Sequence, residues 1–308
     1  MRPFLIDTDT ASDDAVALVM ALQHPDVRVE AITVVAGNVP VDQGVQNALY
    51  TVELCGKDVP VYRGAAAPLT RPLETAQFVH GHDGMGDVGL PLAGRVPAEG
   101  DAVDILIDTI HRHAGALTLV SLGPLTNLAL ALQKDPSIAG KVTDYVMMGG
   151  TGQGPGNVTP VAEYNVWTDP EAAHVVFTSG LPITMVGWDI STGYAVMTPA
   201  DVEAVRRAGT ALAAFCMDIQ GHVNTFSTSI GLAGFDLPDP IAMAVALDPS
   251  VATLTKRLFV AVETESRLCR GQTVVDHFHI TGTPPNVDVV LEASREAFLD
   301  LLHRAVED

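Results

Sequence analysis

Short apolar runs alternate with longer stretches of helical periodicity along this chain. Runs at Phe4–Ile6, Val29–Val35, Leu117–Leu122, Val142–Met148 and Pro182–Trp188 read as buried strands. Between and after them, apolar positions recur at helical spacing over Asp14–Leu22, Val41–Leu54, Ala102–Ala114, Leu125–Leu132, Pro170–Ser179 and Thr210–His222. Further strands are expected at Leu258–Val262, Gln272–Val275 and Val287–Glu292, then a closing amphipathic helix from Arg295 to Val306. Strand and helix in alternation predict an α/β protein built on a parallel sheet.

Two long Gly- and Pro-rich segments, Val79–Gly100 and Gly149–Pro160, interrupt this rhythm. Loops of that length in a compact domain are usually functional. There is no internal repeat, low-complexity tract or linker, so residues 1–308 are expected to form one domain.

An apolar content of 47% supports a sizeable core and argues against global disorder. The net charge of -20, with four lysines in the chain, would repel nucleic acid and anionic membrane and excludes a polymeric nucleic-acid partner. Cys55, Cys216 and Cys269 are odd in number and widely spaced, which fits neither a disulfide framework nor a cysteine zinc site. No uncharged apolar run reaches the length of a membrane span, and Met1-Arg2-Pro3-Phe4 leads directly into a charged motif. A cytoplasmic protein is expected.

The charge is concentrated at one informative place. Phe4-Leu5-Ile6 runs into Asp7-Thr8-Asp9-Thr10-Ala11-Ser12-Asp13-Asp14, immediately before an apolar helix. In open α/β sheets ligands bind outside the carboxyl ends of the strands. Four carboxylates so close repel one another unless a cation or donors neutralise them, and hard oxygen ligands suit Ca²⁺ or Mg²⁺. An acidic helix start capped by Ser12 or Asp13 accounts for one or two of these acids but not all four. Other polar groups follow predicted strands: Gly37-Asn38, Gly123 to Asn127, Met148-Gly149-Gly150 and Asp189. Asn157, Glu163 and Asn165 offer groups suited to hydroxyl recognition, and Asp239 opens a helix as either its N-cap or a further metal ligand.

With these residues in order, the chain resembles the nucleoside hydrolases, the inosine–uridine-preferring N-ribohydrolases. The resemblance runs from the Asp-Thr-Asp-x-x-x-Asp-Asp start through Val34-Val35-Ala36-Gly37-Asn38, Gly123 to Asn127 and Val146 to Gly150. It continues through Ala162-Glu163-Tyr164-Asn165, Asp169 to Ala173 and Asp239-Pro240. It implies a single-domain, mostly parallel, doubly wound (Rossmann-like) sheet with helices on both faces, assembled as a homodimer or homotetramer. It implies Ca²⁺ held by Asp9, Asp14, the Thr126 carbonyl and Asp239, and hydrolysis of a small-molecule nucleoside to ribose and free base in nucleoside salvage. In the implied mechanism Asp9 is the general base toward a water acidified by the cation. Asp13 and Asn165 bind the 2′- and 3′-hydroxyls, Asn157 and Glu163 the 5′-hydroxyl, Asn38 lies near the anomeric centre and Met148 packs on the ribose.

One position departs from the family. Relatives that act on both inosine and uridine carry a histidine, linked to protonation of the leaving base, where this chain has Pro238. His82, in the loop His80-Gly81-His82-Asp83-Gly84-Met85-Gly86, and His222, on the helix Thr210–His222, are the replacements expected to protonate the base. His80 and Phe226 are expected near the base, and Trp188 is expected to pack in the core rather than to stack on it. Two rival readings stand beside this one. Ile6-Asp7-Thr8-Asp9-Thr10 also matches the start of a haloacid-dehalogenase-type phosphatase with Asp7 as nucleophile, but no lysine has a suitable context. A non-catalytic Ca²⁺-dependent ribose-binding protein would use many of the same residues.

Overall fold

The computed structural model describes residues 1–307. The strands, in chain order, are β1 (Arg2–Thr8), β2 (Val27–Val34), β3 (Val61–Arg63), β4 (Thr118–Ser121), β5 (Asp144–Met148) and β6 (Ile183–Val186). They continue with β7 (Val196–Met197), β8 (Phe235–Asp236), β9 (Ala252–Leu258), β10 (Val260–Val262), β11 (Thr273–Val275) and β12 (Val287–Ala293). Eight of these form one sheet in the order β3-β2-β1-β4-β5-β6-β12-β9. Every pairing in it is parallel except β12 with β9 at the edge. The chain order reverses between β1 and β4, so the crevice where an α/β sheet binds its ligand opens at the carboxyl ends of these two strands.

Side-chain alternation gives the sheet two cores. Phe4 and Ile6 of β1, Val120 of β4 and Val146 and Met148 of β5 enter one cluster. Leu5, Leu119, Tyr145 and Met147 enter the other. Helices Ser12–Gln23, Val41–Leu54, Pro238–Leu247 and Arg295–Glu307 cover the first face. Helices Ala102–Arg112, Thr126–Lys134 and Pro170–Phe177 cover the second. This is the single-domain, mostly parallel, doubly wound sheet expected from the sequence. Ser12–Gln23 is buried from Ser12 to Leu22 and packs on the buried Pro238–Leu247. A helix apolar all round has to lie inside a protein.

Several expected elements break where tertiary contacts intervene. Thr210–His222 is two helices, Ala211–Asp218 and Gly221–Ser229; between them Gln220 Nε2 donates to the Ser12 carbonyl at 2.9 Å. Leu258–Val262 divides between β9 and β10, because the Asn286 side chain bonds both the Val260 N–H (2.8 Å) and carbonyl (3.0 Å). The strand expected to reach Trp188 ends at Val186, and Trp188 starts a helix, Trp188–Tyr194. Neither Ser12 nor Asp13 caps the first helix. Its cap is Ala11, whose N–H is taken by Asp14 Oδ2 at 2.9 Å.

Burial at the centre of the first face sets a stability expectation. Leu18, fully buried on Ser12–Gln23, should cost about 2–5 kcal/mol when replaced by Ala. Urea unfolding measures it, and a loss below about 1 kcal/mol would mean this helix is not close-packed.

Candidate active site

A half-open cleft lies above the β1–β4 crevice, lined among others by Asp13, Asn38, Met148, Asn165 and Asp239, where small-molecule sites of α/β sheets are found. Its floor is acidic. Asp9, Asp13, Asp14 and Asp239 are all buried, on the turn after β1 and the first turns of Ser12–Gln23 and Pro238–Leu247. Asp239 sits within its helix rather than capping it, since the cap is Leu237 and Pro238 occupies the first helical position.

Each carboxylate is oriented by backbone geometry. Asp9 Oδ2 accepts the Asn38 N–H at 2.6 Å. The chain can approach this closely because Gly37 and Gly123 have no side chain: a Cβ at Gly123 would lie 2.8 Å from Asp9 Oδ1, and one at Gly37 would overlap the carboxylate. Asp14 accepts from Thr8 Oγ1 at 2.5 Å as well as from Ala11. Asp9 Oδ1 and Asp13 Oδ1 have no partner among the described residues.

Burial, and then the neighbouring carboxylates, push Asp9 and Asp239 well above the usual carboxylate range. Burial also pushes Asp13 up to about 7. Buried like charges with unpartnered oxygens require protons or a cation. Ligand atoms of Asp13, Asp14 and Asp239 lie within 4.8 Å of one another, an all-oxygen donor set suited to a hard divalent ion. The cluster therefore fits a metal. It differs in one member from the expected set: Asp13 stands among the mutually close carboxylates, while Asp9 turns toward Asn38. Thr126 is buried beneath the site, with its hydroxyl donating to Asp169 at 2.7 Å.

The groups expected to bind ribose converge on the same cleft. Asn38, Met148, Asn157, Glu163 and Asn165 all line it. Asn165 Nδ2 donates to the Leu122 carbonyl at 2.6 Å, which fixes its amide plane. Asn157 Oδ1 is buried without a partner. Glu163 accepts three backbone N–H groups: Asn165 at 2.8 Å, Gly150 at 2.8 Å and Val166 at 3.2 Å. Burial outweighs these bonds and pushes its carboxyl up to about 7.

The expected leaving-group acids do not reach the cleft. His82 is exposed, its N–H donating to Asp87 Oδ2, and His222 is exposed with Nε2 3.5 Å from the same Asp87 oxygen. The break at Gln220 turns His222 outward, and Asp87 holds His82 on the outer face of its loop. His80 is the histidine that lines the cleft: its Nδ1 is 2.9 Å from Ser12 Oγ and 3.7 Å from Asp13. Burial lowers it to about 4, so it is neutral at neutral pH. Phe226 lines the cleft as expected, edge-on to Phe78 at 6.0 Å. Trp188 also lines it, half-buried, instead of lying wholly in the core. Asp7 is fully buried, with Oδ1 accepting from both Thr33 and Asn127, which ties the carboxylate expected as a phosphatase-type nucleophile into the sheet.

The profile of the family described as inosine-uridine preferring nucleoside hydrolase matches residues 4–300. The chain belongs to the nucleoside hydrolase family. The pyrimidine-specific ribonucleoside hydrolase RihA of Salmonella schwarzengrund is 39% identical over 303 residues, covering 97% of this chain and 96% of that protein. A plant nucleoside hydrolase, PpNRh1, superposes with a TM-score of 0.93 at 35% identity, covering 100% of this chain and 99% of that one. The purine-preferring ribonucleoside hydrolase of Gardnerella vaginalis gives 0.92 at 32%, covering 99% and 98%. This nucleoside hydrolase is thus an enzyme acting on small-molecule ribonucleosides. Among its described residues no helix is long and apolar enough to cross a membrane.

Sequence reasoning missed Phe78, Tyr164 and Asp236 as cleft residues. Asp236 had a signal, an acid three positions before Asp239. Phe78 and Tyr164 had none beyond their neighbours.

Two expectations follow. Excess Ca²⁺ or Mg²⁺ should raise the melting temperature by several degrees, since a ligand at about 100 times its Kd adds about 2.7 kcal/mol; Asp14→Asn should abolish the shift, and an undiminished shift in that variant would place the ion elsewhere. Glu163 makes the metal-free protein pH-dependent. Its folded pKa is raised, so its contribution is full below about 4.5 and is lost as pH rises through about 7. Glu163→Gln lowers stability overall, because an amide nitrogen cannot accept a backbone N–H, but it should make the decline between pH 5 and 8 shallower, the rest coming from Asp7 and Asp13, which burial also pushes up to about 7; urea unfolding at each pH measures it.

Proposed function

We propose that this nucleoside hydrolase uses Ca²⁺ to hydrolyse the N-glycosidic bond of ribonucleosides, releasing ribose and free base for nucleoside salvage. The observation that carries the reading is the placement of Asp13 and Asp239 beside Asn38, Asn157 and Asn165 in one cleft, with Asp9 and Asp14 buried next to them and unpartnered oxygens on Asp9 and Asp13. Asp9, Asp14, the Thr126 carbonyl and Asp239 would hold the ion, with Asp13 close enough to join them. Bound there, a divalent cation acidifies water and pairs with a vicinal diol.

The chain's own residues do the rest in this reading. Asp9 accepts the proton of the attacking water, its carboxylate aimed by the Asn38 N–H. Asp13 and Asn165 fix the 2′- and 3′-hydroxyls, and Asn157 and Glu163 fix the 5′-hydroxyl, so that the anomeric carbon faces the water; Asn38 lies beside that carbon and Met148 packs on the ribose. Positive charge developing on the ribosyl ring faces the Asp9 and Asp13 carboxylates, which favours departure of the base; the base leaves with the glycosidic electron pair and takes its proton from solvent, and Asp9 returns the water's proton to solvent. His80, held neutral, packs beside the base rather than supplying a proton from an ordinary imidazolium. Pyrimidine nucleosides are the proposed preference, by similarity to RihA. A cytoplasmic homodimer or homotetramer is the proposed form.

Ribose release from uridine, cytidine, inosine, adenosine and guanosine tests the reading. Turnover should vanish on chelation and return with Ca²⁺, with uridine and cytidine cleaved fastest. Asp9→Ala should lower kcat by about 10²–10⁴-fold or more while the protein stays folded. Turnover that survives chelation, or a folded Asp9→Ala protein with near-normal kcat, would sink it.

A further inference from the structure

One wall of the cleft is largely apolar, with Ser227 and Asp236 as polar members. Trp188, Val223, Phe226 and Ile230 form it, and Asp236 of β8 is set among them, 5% exposed. The backbone of Asp236 is held by the β7–β8 pairing, opposite Val196. Its Oδ2 accepts the Trp188 indole N–H at 2.8 Å and lies 2.8 Å from Ser191 Oγ. An indole N–H can only donate, so the carboxyl is pinned by that oxygen. Oδ1 has a single contact among the described residues, Ser227 Oγ at 3.4 Å, beyond the range of a good hydrogen bond.

A buried acceptor held this firmly, with one oxygen nearly unspent at a cleft wall, is arranged for a donor that arrives with the ligand. Building on the hydrolase reading above, a nucleoside whose ribose lies on the carboxylate floor presents its base to this wall. There Trp188 and Phe226 offer aromatic surface, and Asp236 is the buried carboxylate of that wall. We infer that Asp236 is a specificity-determining residue of this enzyme: its Oδ1 accepts a ring N–H or exocyclic amine from the base. Trp188 is a positioning residue whose indole aims that carboxyl. The substrate class is therefore nucleosides with a free N–H on the base edge remote from the sugar, such as the N3–H of uracil, the N4 amine of cytosine or the N1–H of hypoxanthine. N-alkylation there removes the donor and puts a methyl group against a carboxylate, a mismatch that polar sites reject strongly.

The test compares uridine, 3-methyluridine and p-nitrophenyl riboside, whose leaving group has no N–H. Wild type should cleave uridine at least about 100-fold more efficiently than 3-methyluridine. Asp236→Asn keeps the side-chain size; with its amide oxygen on the indole N–H, it turns a donor toward the base. It should lose about 30-fold or more in kcat/KM on uridine, close most of the gap to 3-methyluridine, and lose less than about threefold on p-nitrophenyl riboside. Equal losses on uridine and p-nitrophenyl riboside would mean a merely structural role and overturn the inference alone. Wild type that cleaves none of the three would overturn the hydrolase reading and this inference together. Inhibition of wild type by uracil against 3-methyluracil, and by hypoxanthine against 1-methylhypoxanthine, needs no variant. Weaker inhibition by both methylated bases supports the assignment, and equal inhibition overturns it.

Discussion

Mutual repulsion among buried carboxylates governs this molecule. Asp9, Asp13, Asp14 and Asp239 lie within the protein at one sheet edge, where water cannot screen them and each raises the cost of ionising the next. The surrounding structure lowers that cost locally. Asn38 donates to Asp9, and Thr8 and Ala11 donate to Asp14. Two helices begin here, so the positive ends of their dipoles face the cluster. None of these neutralises four charges. The remainder falls to protons or a cation, which ties the folding stability of the chain to the occupancy of its site.

That constraint explains why the scaffold around the cluster is so heavily bonded. Gly37 and Gly123 let two backbone segments close on Asp9. The Tyr164 hydroxyl lies 2.9 Å from the Gly37 carbonyl and 2.7 Å from that of Glu74, tying the strand-end loop to the segment that leads to Phe78 and His80. Asp169 accepts from Thr126 Oγ1, Leu69 N–H and Ala172 N–H, joining the floor of the site to the second core. The polar groups that line the cleft stand on strand ends and helix starts braced from both cores, which is what precise orientation of a ligand needs. The apolar wall is different in kind. Phe226 and Ile230 come from a short helix and its end on the chain's later half, with largely exposed neighbours, so this wall is built separately from the acidic side of the cleft.

The amino-acid sequence determined the layered sheet, the position of the acidic cluster and many of the polar residues that line the cleft. The physical reason is that these are local: buried strands appear as apolar runs, and strand ends that bear polar residues share one edge once the sheet is parallel. Tertiary structure alone decided which side chains cap, break or redirect an element. Gln220 reaching Ser12 split one helix and sent His222 outward; Asn286 divided one apolar run between two sheets; Asp87 fixed the backbone of the loop that exposes His82; and Trp188, two residues past a strand end, turned to face the cleft with Asp236. Each of these is a contact between residues far apart in the chain or across a loop, made by a side chain whose direction no periodicity encodes. The acidic side of the cleft was therefore legible from the order of residues, and the apolar wall became so only when distant segments were folded against each other.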